Sequence, residues 1–336
     1  MSLENSKSKK TSMPNCAIII PCKTLDKETR LCIEKCQKQI KIKIKIYIVS
    51  DKKVIPSKRK KNIKYLSYGP INMSEKRNRA ISFGKEKYIA FIDSDAYPVS
   101  SWLINGINIL KKNNKIGIVS GPDFPFPNQK GWQKLVGIAH KSFWLSGSKT
   151  FRKNIKKSFY CKQVSSCNMI MKRSIFHEVG GMNNKIYIGE DADFCNKVRK
   201  FYKICHSPKV KIFHKSRNFL PFLAQRYAYG TCILDVFGHV NFFQNFQYIV
   251  PLCITLFFFS FPIIFIFQIY KYIYTFVFLT LFFGLLVEAF KVTNKLLNAF
   301  KILLIFYLGI IFFGMGSLMR ILGIKKYLKK IYTFTN

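Results

Sequence analysis

The sequence predicts an α/β domain built on a mostly parallel sheet with helices on both faces, followed by an α-helical membrane region at the C-terminal end. Three observations carry this prediction. Short apolar runs alternate with helical patterns through the first two-thirds of the chain, the pattern of strands crossed over by helices. Several of those runs end on Pro or Asp. From Phe246 to Leu322 the composition turns to long Phe/Ile/Leu runs with few charges, as in segments that meet lipid.

Each element follows from its local pattern. Ala17-Ile18-Ile19-Ile20-Pro21 is a continuous apolar run closed by proline, which reads as a buried parallel strand. A helix is expected from about Asp26 to Gln39. Lys41 to Ile46 alternates strictly and then becomes apolar through Tyr47-Ile48-Val49 before Ser50-Asp51, a strand ending in a carboxylate. Ile63 to Leu66 reads as a third strand, Ser74 to Phe83 as a helix stopped by Gly84, and Tyr88 to Ile92 as a buried strand running into Asp93. Trp102 to Leu110 is expected to be helical and Ile116 to Val119 a strand, while the Pro- and Gly-rich stretch Gly121 to Lys130 is expected to be a loop near the site. An open parallel sheet binds ligands beyond the carboxyl ends of its strands, where Pro21, Asp51 and Asp93 fall.

Three stretches of membrane-spanning length are expected at 248–270, 272–290 and 300–322, the first kinked by Pro251 and Pro262. Three full crossings would carry the basic residues Arg320, Lys325, Lys326, Lys329 and Lys330 to the outer face, against the tendency of positive segments to stay in the cytoplasm. One of the three is therefore expected to be re-entrant or interfacial. The chain divides into a polar tail at 1–15, a domain at 16–217, an interfacial linker at 218–247, membrane helices at 248–323 and a basic tail at 324–336.

The 56 Lys and Arg against 16 acids give a formal charge of +40. Such an imbalance favours polyanions, and beside membrane segments anionic lipid is the simplest partner; biased coding for Lys, Ile, Asn and Phe explains the same excess. The aromatics concentrate in the apolar tail rather than interleaving with Lys and Arg, which speaks against a nucleic-acid partner. The ten cysteines form no Cys-x-x-Cys pair and no zinc-type cluster. With a polar N-terminus that lacks the apolar core of a signal peptide, this points to a multi-pass membrane protein whose larger domain faces the reducing cytoplasm.

In a chain so poor in carboxylates, their placement is informative. Asp93-Ser94-Asp95 directly follows a buried strand, and Glu190, Asp191 and Asp193 cluster ahead of a helix expected to run through Tyr202. Paired hard oxygen ligands on a rigid strand end suit Mg²⁺ or Mn²⁺ carrying a diphosphate; a solvated turn suits the same tripeptide. The second cluster provides a general base for an acceptor hydroxyl, or simply complements a helix dipole.

At these residues the sequence resembles the family 2 glycosyltransferases, which have the Rossmann-like GT-A fold, over roughly Ala17 to Gly230. The carrying motifs are Ile18-Ile19-Ile20-Pro21-Cys22-Lys23-Thr24; Ile48-Val49-Ser50-Asp51; Lys76-Arg77-Asn78-Arg79-Ala80 leading through Gly84 into Tyr88 to Pro98; Ser165-Ser166-Cys167-Asn168-Met169 with Arg173, Phe176 and Gly180-Gly181; Gly189-Glu190-Asp191; Ile212-Phe213-His214; and Gln225-Arg226-Tyr227-Ala228-Tyr229-Gly230. Thr24 stands where asparagine is common, and the second strand keeps Ser50-Asp51-Lys52-Lys53 where paired aspartate, glycine and serine are usual.

The resemblance implies that Pro21, Thr24 and Asp51 contact the nucleoside, Arg77 the nucleotide phosphate or base, and that Asp93 and Asp95 hold the metal, with His214 completing it. It makes Asp191 the catalytic base of an inverting transfer, with Glu190 beside it. Arg226 would bind diphosphate or a lipid phosphate, since a guanidinium forks onto phosphate oxygens, or anchor the chain at the interface. The motif around Arg226 departs from the Gln-x-x-Arg-Trp pattern of processive polymer synthases. The implied function is transfer of a sugar from a nucleotide-sugar donor to a glycan or lipid-linked acceptor, in cell-surface glycan, glycolipid or polysaccharide biosynthesis. A polyprenyl-phosphate sugar synthase and a non-catalytic basic scaffold are the alternatives.

Overall fold

A computed structural model describes residues 13–54, 60–146, 155–231 and 246–324. The expected basic residues Lys325, Lys326, Lys329 and Lys330, most of the polar N-terminal tail and the second half of the expected linker lie outside the described residues. The chain divides into two compact units: one of Met1–Gly121, Ser158–Met182 and Lys197–Ile212, the other of Pro122–Lys157, Asn183–Asn196 and Phe213–Asn336.

The first unit holds an eight-stranded sheet in the order β3-β2-β1-β4-β9-β6-β10-β8. Its strands are β1 (Asn15–Pro21), β2 (Lys43–Ser50), β3 (Ile63–Ser67), β4 (Tyr88–Phe91), β6 (Ile116–Ser120), β8 (Phe159–Cys161), β9 (Met169–Lys172) and β10 (Lys203–His206). The short β5 (Ala96–Pro98) follows β4. β1, β2, β3 and β4 run parallel, as the continuous apolar runs predict, because strands covered on both faces bury every side chain. β9 enters antiparallel between β4 and β6.

The helices start where short polar side chains cap them. Asp26 accepts from the Thr29 amide at 2.7 Å to open α1 (Lys27–Gln37), and Asn72 accepts from the Glu75 amide at 2.8 Å to open α2 (Met73–Ser82). α3 (Trp102–Lys112) buries Trp102, Leu103, Ile107 and Leu110, and these join Ile18, Ile20, Ile48, Ala90 and Ile92 in one core.

Asn168, part of one of the motifs that carry the family resemblance, is 2 % exposed. Its Oδ1 accepts from Trp102 Nε1 at 2.8 Å, and its Nδ2 donates to the carbonyls of Gly121 and Val210, each at 2.9 Å. A Cβ at Gly121 would collide with the Val210 and Ser207 carbonyls, so glycine lets these backbones approach. Asn78 works similarly: its side chain donates to Met182 O at 2.8 Å and accepts from Met182 N at 3.1 Å, pinning a turn in which Gly180 and Gly181 take positive φ. The sequence also singled out Arg173 of α6 (Arg173–Glu178); its guanidinium donates to Glu86 O at 2.7 Å and Ile81 O at 2.6 Å.

The second unit contains β7 (Asp123–Pro125), α4 (Gly131–Ala139), α5 (Phe143–Ser146), α8 (Phe219–Thr231), α9 (Phe246–Phe259), α10 (Gln268–Val292) and α11 (Leu296–Ile321). β11 (Ile212–His214) neighbours β7. The helix α7 (Glu190–Arg199) ends slightly before Tyr202. The expected loop of 121–130 thus contains a short strand. The expected linker contains a helix, α8, that packs with α4, α5 and α11 around Leu135, Phe222, Ile302 and Phe306.

The apolar tail differs from three continuous spans. Its first stretch breaks at Ser260 into α9 and a 3₁₀ turn (Phe261–Phe265) with Pro262 in its first turn, because proline cannot donate within a helix. Among the described residues, two helices are long and apolar enough to cross a membrane, Gln268–Val292 and Leu296–Ile321. α11 carries glycines where neighbours come close: a Cβ on Gly316 would strike the Tyr227 carbonyl, and one on Gly314 the Pro251 carbonyl. The missing side chains let these backbones come close.

Replacing Asn168 by Ala strands three buried polar groups. Unfolding by heat or denaturant should show Asn168→Ala losing about 2–4 kcal/mol.

Candidate active site

The carboxyl ends of three adjacent strands build one edge of the first unit. Past the paired residues Pro21 and Val49, the Cys22 amide donates to Val49 O at 2.9 Å and the Asp51 amide to Lys23 O at 3.2 Å. The ladder thus continues to the last residues before the turns and fixes where Asp51 begins. Pro21 is buried, Thr24 exposed and Asp51 partly exposed. Beyond β4, the Ile92 amide donates to Ile19 O at 3.3 Å, and a turn closed by Ala96 N on Asp93 O at 3.1 Å holds Asp93-Ser94-Asp95. The two aspartates are partly exposed, and each offers a carboxylate oxygen within 4.8 Å of the other's. That spacing fits two hard ligands on one divalent cation.

α2 faces this edge with two consecutive basic residues, each 1 % exposed. Lys76 Nζ donates to Cys22 O at 2.7 Å and pairs with Asp51 Oδ1 at 2.5 Å. Arg77 Nη2 pairs with Asp93 Oδ1 at 2.9 Å, with its guanidinium carbon 5.7 Å from the Phe91 ring centre. The resemblance implies that Arg77 contacts the nucleotide; in the structure its guanidinium pairs with the first metal-type carboxylate. Lys76 was quoted only as part of a motif, and a lysine in an amphipathic helix gives no sign that it points inward.

The other assigned residues lie in the second unit. Gly189 takes a φ of +86° ahead of α7, where the Asp193 amide donates to Gly189 O at 3.0 Å and the Ala192 amide donates to Asp191 Oδ1 at 2.8 Å. Glu190 and Asp191 are partly exposed in the first turn, where negative charge is favoured. His214 ends β11 with Nδ1 3.8 Å from Asp123 Oδ2, near enough for charge attraction but beyond hydrogen-bond reach. Asp123 was missed, although it follows strand β6 closely in an acid-poor chain, as Asp93 follows β4. Arg226 is buried in helix packing: Nε donates to Gly309 O at 3.2 Å, and its guanidinium carbon lies 4.9 Å from the Phe313 ring centre. These contacts tie α8 to α11.

Thiols border the edge. Cys32 Sγ donates to Asp93 O at 3.6 Å. Burial raises the thiols of Cys16 and Cys32 well above the usual range and that of Cys22 from 9.0 to about 11, the nearby Lys76 ammonium opposing the last.

Two measurements follow from this geometry. Because these folded-state values are raised, the stability the thiols contribute is complete below about pH 9 and is lost as pH rises through about 11. The unfolding temperature should therefore hold to pH 9 and fall beyond it, and Cys22 should resist alkylation at pH 8. A double-mutant cycle of Arg77→Met and Asp93→Asn should give a coupling of about 1–2 kcal/mol, reduced from a fully buried pair because Asp93 is one-third exposed.

No curated protein matches the chain. A crystal structure of GalNAc-T7 with UDP, GalNAc and Mn²⁺ superposes with a TM-score of 0.48 and 13 % identity, over 62 % of this chain and 45 % of that one, so the chain spans less than half of that protein's length. The family described as Glycosyl transferase family group 2 matches residues 88–287, a stretch that begins at β4 and runs through α7, α8 and most of α10. Carrying that match over more than half its length, the chain belongs to glycosyl transferase family group 2.

Proposed function

We propose that the protein is an inverting, metal-dependent glycosyltransferase that moves a sugar from a nucleotide-sugar donor to a lipid-linked or membrane-proximal hydroxyl. The observation that carries this reading is the pair Asp93 and Asp95, held on a strand end with carboxylate oxygens within 4.8 Å, in a member of a glycosyl transferase family. Asp93 and Asp95 would hold a divalent cation, Mg²⁺ or Mn²⁺, whose positive charge would stabilise the departing diphosphate.

The chain's own residues do the rest. Arg77 fixes Asp93 so that the carboxylate needs no reorganisation when the ligand arrives. Pro21, Thr24 and Asp51 form the edge that receives the nucleoside. Asp191 takes the proton from the acceptor hydroxyl as its oxygen bonds to the anomeric carbon. The bond from that carbon to the phosphate oxygen breaks on the opposite face, its electron pair leaves with the nucleoside diphosphate, and the anomeric configuration inverts. Glu190 adds negative charge beside the base.

The membrane role rests on α10 and α11. At 25 and 26 residues they reach about 37–39 Å, enough to cross a hydrocarbon core of about 30 Å. Two crossings return the chain to its starting side, so Arg320 and the basic tail stay with the catalytic domain in the cytoplasm, near anionic lipid. α9 and the 3₁₀ turn then serve as the re-entrant or interfacial segment.

Donor hydrolysis by the purified chain, screened across nucleotide sugars with and without Mg²⁺ or Mn²⁺, tests the reading. Asp95→Ala should lower turnover by about 10³-fold or more and abolish metal dependence. Asp191→Ala should leave donor binding nearly intact while stopping transfer. Normal transfer to a hydroxyl acceptor by the Asp191 variant would remove it as the base.

A further inference from the structure

Lys76 is the feature of the first unit that neither the family resemblance nor the reaction accounts for. Its side chain is 1 % exposed, whereas that of its partner Asp51 is 21 % exposed. The charged amine is therefore sealed behind the carboxylate, and the carboxylate is the group a ligand can reach. Nζ sits 2.7 Å from Cys22 O and 2.5 Å from Asp51 Oδ1, bridging the ends of two neighbouring strands. Burying an ammonium is costly unless it is paired and hydrogen-bonded, so this placement constrains Asp51 as much as Lys76.

Resting on the nucleotide-sugar reading above, we propose that Lys76 is a positioning residue that sets nucleoside selectivity through Asp51. By taking Oδ1, it turns Oδ2 outward as a fixed acceptor. An ionised carboxylate accepts hydrogen bonds and donates none. The site therefore favours nucleosides that present a donor to Oδ2, either a ribose hydroxyl or a ring N–H of the base. It disfavours bases whose ring nitrogen is itself an acceptor, because two acceptors face to face leave both unsatisfied. Lys76 does not touch the sugar or the diphosphate, so its effect falls on the nucleoside half of the donor.

The test is equilibrium binding to the full chain with Mn²⁺, using uridine, guanosine, cytidine and adenosine diphosphates, the 2′-deoxy forms and inorganic pyrophosphate. Lys76→Met should weaken the preferred nucleoside diphosphate about tenfold or more and flatten the preference among bases, with pyrophosphate binding unchanged. Asp51→Asn should lose as much, and the double variant no more than either, since the two residues act as one unit. Lys76→Gln, which keeps an N–H donor for Oδ1 without the charge, should keep more of the base preference than Lys76→Met and decides the matter with Asp51→Asn if the Met variant does not fold. The deoxy forms separate the two ligand sources: their loss assigns Oδ2 to ribose, and their retention with base preference assigns it to a ring N–H. Equal weakening of pyrophosphate, additive losses in the double variant, or unaltered nucleotide binding by Lys76→Met would each overturn the role of Lys76. A native chain that binds none of the diphosphates would instead refute the nucleotide-sugar reading itself.

Discussion

Lys76 and Arg77, consecutive on α2, are both buried, and each ends on a carboxylate at the end of a different strand. Successive helical positions point about 100° apart, so one turn of helix reaches β2 through Asp51 and the turn after β4 through Asp93. The edge of the sheet would otherwise gather negative charge in a partly desolvated place. The two cations offset that charge and fix the geometry, and the Asn72 cap holds the start of the helix that carries them.

The remainder of the first unit serves to make that edge rigid. Strands β1, β2 and β4 deliver Pro21, Asp51 and Asp93 to one side because parallel strands place all their carboxyl ends together. Antiparallel β9 extends the sheet beyond β4, and Asn168, just before it, ties the Trp102 indole to two backbone carbonyls from separate segments. Asn168 is thus a buried cross-link, and its amide suits the task because it donates and accepts at once.

The second unit solves a different problem. α10 exposes Ile269, Tyr272, Ile273, Phe276 and Phe283, a lipid-compatible surface, while α11 is the helix around which α8 and the others pack. Arg226 and the α11 glycines serve that packing: the guanidinium satisfies a helix carbonyl, and the missing side chains admit neighbouring backbones.

Much of this was legible in the sequence, for reasons of pattern. Continuous apolar runs determined the parallel strands, Asp26 the start of the first helix, and the scarcity of acids singled out Asp93, Asp95 and the cluster before α7. Three matters were decided only by tertiary structure. Hydropathy and the two prolines read 248–270 as one kinked span, since a proline marks a disturbance in a helix without saying whether the chain bends there or, as at Ser260, breaks. Composition read 218–247 as a linker, because the face that buries Phe222 and Arg226 depends on glycines some ninety residues away. The partners of Lys76 and Arg77 were hidden because a basic side chain on a polar helix looks solvent-facing until the strands beneath it present carboxylates at ion-pairing distance. Local sequence specifies which residues can carry charge; only the packed chain specifies which charges meet.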